Sequence, residues 1–160
     1  MRVRHLIAAP KLQISETAGW STSDLPPKHA PVNAKTRPSR AGWRWRSLRA
    51  RGDDGREYVM FALANPSRDN WKAALTVEVS GSGHSIVAKF EFHASHPGLH
   101  VHADCGRSGI ETGSTSLDRL PRTPKTGNMH RRINAWTEAS FWKSAKAFFR
   151  IYEMQGTLEV

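Results

Sequence analysis

One cysteine, Cys105, stands among 160 residues, so no disulfide can form within the chain, in keeping with a reducing compartment. No apolar run approaches the roughly 20 residues that a bilayer-spanning helix requires. The opening stretch, Met-Arg-Val-Arg-His-Leu-Ile-Ala-Ala-Pro, is too short in apolar residues for a secretory signal. The expected location is therefore the cytoplasm. A phosphate-gripping loop is also missing, because Gly106-Arg-Ser-Gly109 lacks the lysine and the following helix that such a loop needs. Acidic residues are absent between Asp24 and Asp53, where eight Lys/Arg occur: Lys28, Lys35, Arg37, Arg40, Arg44, Arg46, Arg49 and Arg51.

That gap locates the charge. The net charge is +10, and residues 1–51 carry eleven Lys/Arg against only Glu16 and Asp24. A basic block attracts polyanions and releases their condensed counterions, which makes nucleic acid the leading partner class, ahead of an acidic protein or an acidic membrane surface. A solvated tail that only aids solubility is the alternative. Residues Arg37, Arg40, Trp43, Arg44, Trp45, Arg46, Arg49 and Arg51 are the candidate nucleic-acid contacts, with Trp43 or Trp45 as a stacking platform. Ordinary alternation, with Trp packed inward and Arg solvated, competes with that reading.

Residues 9–42 hold five prolines among Ser, Thr, Lys and Ala and show neither strand nor helix period. They read as an extended, partly disordered arm in which Trp20 either covers an apolar spot on the body, the favoured role, or stacks on a base. From Trp43 the pattern alternates. Turn formers at 51–56 join this strand to 57–64, Asn65–Asn70 turns the chain into a third strand at 71–79, and Ser80-Gly-Ser-Gly83 leads to a fourth at 85–93. Ser95-His-Pro-Gly98 introduces a fifth at 99–105.

With four-residue loops, Leu75, Val77 and Val79 oppose Ala88, Ile86 and His84. In the next pair, Phe92 and Ala94 oppose Val101 and Leu99. One face is then apolar throughout. Residues 106–129 read as a long loop, either a lid or a plain surface connection. Thr137 suits a helix N-cap, Trp136 and Phe141 stand at the spacing of a hydrophobic staple, and Phe141, Ala145, Phe148 and Tyr152 mark one helical face, with Gly156 as the stop.

The expected fold is α+β: a five-stranded antiparallel β meander with a C-terminal amphipathic helix packed on its apolar face, preceded by an extended basic N-terminal arm. The arm takes residues 1–42. A single domain takes 43–160, divided into the meander (43–105), the loop (106–129) and a helical segment (130–156).

Four of eight histidines fall within ten residues, His93, His96, His100 and His102. On a strand His100 and His102 share a face, and the four-residue loop sets His93 directly across from His100. Two chemistries suit three converging imidazoles. His93, His100 and His102, with Asp104 or Glu91, would hold zinc or manganese. Without a metal, two imidazoles would serve as general base and acid on a phosphodiester, with Lys89 or an arginine from the following loop stabilising the developing charge. A polar sheet face that merely happens to use histidine is the bland alternative. His84 and His130 are read as structural.

His100-Val101-His102 resembles the His-hydrophobe-His strand motif of the HUH single-strand nickases and Rep proteins, which implies a metal and a helix-borne tyrosine, here Tyr152. The run from His100 to Cys105 is similar to the His-x-His-x-Asp-His ligand motif of metallo-β-lactamase hydrolases, with Cys105 at the last histidine's place. Both resemblances end at these residues. The expected function is a small basic nucleic-acid-processing protein, a nuclease of the ribonuclease-like toxin or defence-associated kind. The alternative is a non-catalytic nucleic-acid-binding module or a basic protein-interaction subunit.

Overall fold

Alternating apolar and polar residues build one sheet. In the computed structural model, which describes residues 3–31, 42–79, 83–93, 96–102 and 136–154 (His96, Pro97, Gly98 and His100 by backbone), seven strands lie in the order β6-β5-β4-β3-β2-β1-β7 and curl into a half-barrel. These are β1 (Lys11–Glu16), β2 (Arg44–Gly52), β3 (Glu57–Asn65), β4 (Asn70–Val79), β5 (Gly83–His93), β6 (His96–His102) and β7 (Ile151–Tyr152); helix α1 spans Val3–Ala8 and α2 spans Glu138–Phe148. Every neighbouring pair from β1 to β6 is antiparallel, while β7 joins β1 in parallel. The expected meander is β2 to β6. Tight connections suffice for antiparallel neighbours, so no crossover helix is needed there.

Helix α2 lies on the sheet face that the meander leaves apolar. Phe141, Ala145, Phe148 and Phe149 are buried against Trp71, Leu75, Ala88 and Phe90, with the Phe90 and Phe148 rings 5.1 Å apart and those of Trp71 and Phe141 5.6 Å apart. Alanines at 62, 64, 73 and 88 make room on the sheet for these large rings. Thr137 caps α2 by accepting from the Ser140 amide, and Trp136 meets Phe141 edge-on at 5.5 Å. The helix is shorter than the expected 130–156 segment. It ends where Arg150 takes a left-handed conformation (φ 55°), and Ile151 and Tyr152 then form a strand, so Gly156 is not its stop.

The N-terminal arm is corrected most. Val3, Leu6 and Ile7 fall at helical spacing and are buried in the main core, residues 11–16 form β1, and Trp20 packs edge-on against Trp142 at 6.2 Å. Beyond them, Leu25 and Ala30 are buried against Trp45, Phe61, Leu63 and Ala74 on the outer face, opposite the helices. Few apolar residues do this, and the arm's polar average hides them. Described residues 3–31 are thus part of the fold, and the strand count rises from five to seven.

Two registers also differ from the expectation. Leu75 pairs with Ala88 as expected, but a bulge follows, so that Thr76 pairs with Ile86 and Val77 with Ser85, and Val87 enters the core beside Ala88. Thr76 is buried and donates to the Val59 carbonyl at 3.1 Å. In the next hairpin the pairs from Lys89–His102 to Phe92–Leu99 stand two residues from the expected register, and a further irregularity between Phe92 and His93 pairs His93 with His96. A shift of two keeps each side chain on its face while changing its neighbour.

Candidate functional site

The outer face divides along β4. Over the Trp45, Phe61 and Leu63 end of β2 and β3 it is apolar and covered by Leu25 and Ala30, and towards the other end it carries Arg49, Arg51 and Glu57. Over β4, β5 and β6 it is polar: Ala88 and Phe90 point into the core, so Lys89 and Glu91 between them point outward. On β6 the same alternation buries Leu99 and Val101 and leaves His102 exposed.

The ladder pairs Lys89 with His102 and Glu91 with His100. His102 Nε2 lies 3.8 Å from Glu91 Oε2, whose side chain keeps only 13% exposure. Glu91 is flanked on the other side by Lys72 of β4, its cross-strand partner there. An imidazole, a carboxylate and two ammonium groups therefore share one polar patch. The spacing of the sequence points to Lys89, Glu91 and His102, whereas Lys72, which the expected pairing of Leu75 with Ala88 already sets opposite Glu91, was missed because it stands outside the histidine cluster.

His93 is not across from His100. It pairs with His96, four residues along β5 from Lys89, which is about 13 Å from the His102 pair at roughly 3.3 Å per residue. His93 and His102 thus cannot bind one metal ion together. Among the described residues, no group of three His, Cys, Asp or Glu side chains could hold a metal. Asp104, Cys105 and the long loop at 106–129 lie outside the described residues. The tyrosine implied by the nickase resemblance is also misplaced, since Tyr152 is on β7 at the opposite end of the sheet from β6.

The basic candidates separate by strand parity. Arg44 pairs with Glu138 of α2. Arg46 bonds Glu16 at 3.2 Å and stacks 4.7 Å over the Trp142 ring. Arg49 and Arg51 emerge on the outer face, each 3.3 Å from Glu57. Trp45 provides no stacking surface: it is 5% exposed, donates its Nε1 to the Ser23 carbonyl and lies 5.0 Å from the His29 ring. Trp43 packs on the same cluster. Arg37 and Arg40 lie outside the described residues.

Two histidines outside the cluster are held by hydroxyls. His29 Nδ1 is 2.7 Å from Ser47 Oγ, and His84 Nδ1 is 3.2 Å from Thr76 Oγ1. Burial, and then the positive charge of Arg49 (joined at His29 by Lys28), lower both imidazoles below their ordinary range, against the opposing pull of Glu78 and Glu57 on His84.

No described helix is long and apolar enough to cross a membrane. No protein-family model matches the chain, and comparison with curated proteins and with solved structures likewise gives no match.

Proposed function

We propose that this chain processes nucleic acid on the polar half of its outer face, with His102 transferring a proton, Glu91 orienting that imidazole, and Lys89 and Lys72 engaging phosphate. The observation that supports the reading is the cross-strand pair Lys89–His102 with the Glu91 carboxylate 3.8 Å from the imidazole. A carboxylate beside an imidazole fixes its direction, and general acid–base work of this kind contributes roughly 10²–10⁴-fold in rate. An ammonium across the ladder stabilises the charge that develops on a phosphodiester. The chain's net charge of +10 would gather such a polyanion.

Zinc or manganese belongs to this reading in a narrower form than the sequence suggested. Glu91 and His102 would supply two ligands, and His93 stands too far along β5 to join them. Proton transfer by His102 needs no third protein ligand.

The test is cleavage of labelled RNA and of single-stranded DNA, with added zinc, added manganese or a chelator. His102→Ala is expected to lower cleavage by about 10²–10⁴-fold while leaving binding intact. Glu91→Gln should lower it less. Cleavage unchanged in His102→Ala would refute the assignment, and salt-sensitive binding without turnover would mark a non-catalytic nucleic-acid-binding module.

A further inference from the structure

We infer that the β1–β7 corner, at the far end of the sheet from β6, is a docking edge for an extended acidic segment of another protein. Among the described residues the exposed large hydrophobics are Leu12 (46%), Ile14 (53%), Tyr152 (53%) and Met154 (67%), and all four lie on β1, on β7 or just beyond it. Leu12 and Tyr152 are paired neighbours across the two strands. Single exposed apolar residues are ordinary, whereas a group of them in one place marks a contact surface.

On the side away from β2, β1 pairs with β7 only at Lys11 and Leu12, so among the described residues no strand continues along Gln13–Glu16. Exposed edges are usually blunted by lysine or proline, and here an isoleucine stands at that edge. Added strands use such edges, gaining affinity from main-chain hydrogen bonds and specificity from alternate side chains.

Charge selects the partner. Arg51 is the cross-strand partner of Leu12, and Arg49 is that of Ser15. Both guanidinium groups, 60% and 55% exposed, share the single carboxylate of Glu57, which leaves the margin of the apolar strip positive. Glu16 does not offset this, being engaged by Arg46 and by Trp142 Nε1. A second copy of the chain would bring its own Arg49 and Arg51 toward this pair. A nucleic acid offers no row of amides and carbonyls to match a strand edge. An extended segment alternating carboxylates with apolar residues satisfies all three features at once, and this inference stands apart from the phosphodiester chemistry proposed for β5 and β6.

The probe is a fluorescein-labelled Ser-Glu-Val-Glu-Val-Glu-Val-Ser peptide, compared by anisotropy with the same peptide carrying Lys for Glu. The acidic peptide should bind the full chain at least about tenfold more tightly. Ile14→Lys should weaken it by a similar factor, and Arg49→Glu with Arg51→Glu should reverse the preference; circular dichroism and the thermal midpoint report that these exposed substitutions leave the fold intact. Absence of binding, equal binding of both peptides, or a preference unmoved by the arginine exchange would overturn the inference. Sedimentation showing a dimer that Ile14→Lys dissociates would assign the edge to a second copy and overturn it equally.

Discussion

The Lys11 ammonium lies 4.8 Å from the centroid of the Tyr58 ring, and both side chains are almost wholly buried. Lys11 donates to the carbonyls of Ile7, Ala9 and Phe149, so one cation joins the end of α1 and the end of α2 to the first strand. Such a group completes orphan carbonyls at two helix ends. Its charge is the liability.

Burial lowers Lys11 from 10.5 to about 8, with Asp54 and Asp53 opposing the change and Arg150 adding to it. Between those values the unfolded chain binds the extra proton, so stability rises with pH across the window. At about 1.4 kcal/mol per pH unit the whole window is worth about 3 kcal/mol. Tyr58 acts in the opposite sense. Burial and its hydrogen bond to Asp54 raise it above its ordinary 10, so that above pH 10 the unfolded chain loses the phenolic proton first and stability falls. Urea midpoints are expected to climb from pH 8 toward pH 10 and then decline, and Lys11→Met should abolish the climb. A flat profile from pH 8 to 10 in the parent protein would contradict the buried ammonium.

Gly52 closes β2 above the same tyrosine. A Cβ placed there would stand 2.4 Å from Asp54 Oδ1 and 2.8 Å from Tyr58 Cε2. Neither neighbour is free to retreat, because the Tyr58 hydroxyl and the Arg56 amide and guanidinium all donate to Asp54. Gly52→Ala is expected to cost about 1–3 kcal/mol. A denaturation midpoint equal to that of the parent would show that the turn yields.

Arg150 is a non-glycine residue in the left-handed region at the end of α2. Glycine is the usual occupant of that place, since a Cβ there costs roughly 1–2 kcal/mol. Part of the relief is lost to the added freedom of glycine in the unfolded chain. Arg150→Gly should therefore stabilise the protein by about 0.5–1 kcal/mol. A fall in its thermal midpoint would mean that the arginine side chain contributes more than the strain removes.

Much of this architecture was legible before coordinates. Strands β2 to β6 follow from alternation because one face of each must be apolar to meet α2, and the cap and staple of α2 follow from Thr137, Trp136 and Phe141. Residues Leu25 and Ala30 were not legible: isolated apolar positions among prolines carry no period, and only the bare outer face over Phe61 and Leu63 explains their burial. The site was legible by face and misread by neighbour. Lys89, Glu91 and His102 stand on the polar side as alternation requires, yet the register of this hairpin, with its irregularity between Phe92 and His93, pairs His100 with Glu91, and no local pattern encodes either. Val87 shows the same limit, since its bulge is a property of two strands together.

Acid should destabilise the fold through His29 and His84. Both are lowered in the folded state, chiefly by burial, so below pH 6.5 the unfolded chain takes up the proton first. Stability present above that pH is lost as the pH falls toward the folded values. The denaturation midpoint is expected to drop on acidification from pH 7 to pH 5, with His84→Gln removing part of the drop. An unchanged slope in His84→Gln would show that this imidazole titrates alike in both states.

Salt dependence tests the phosphate role of the two lysines directly. Lys72 and Lys89 flank Glu91 on the open half of the outer face, Lys72 as its partner on β4 and Lys89 two residues before it on β5. If each neutralises one phosphate of a single strand, each releases roughly 0.7 of a counterion on binding. Replacing either with glutamine should weaken oligonucleotide binding about equally for all sequences and flatten the plot of log affinity against log salt by about that amount. The double substitution should flatten it by about twice as much, since two separate phosphates are involved. Substitutions that lower affinity without changing the slope would place the strand elsewhere on the protein.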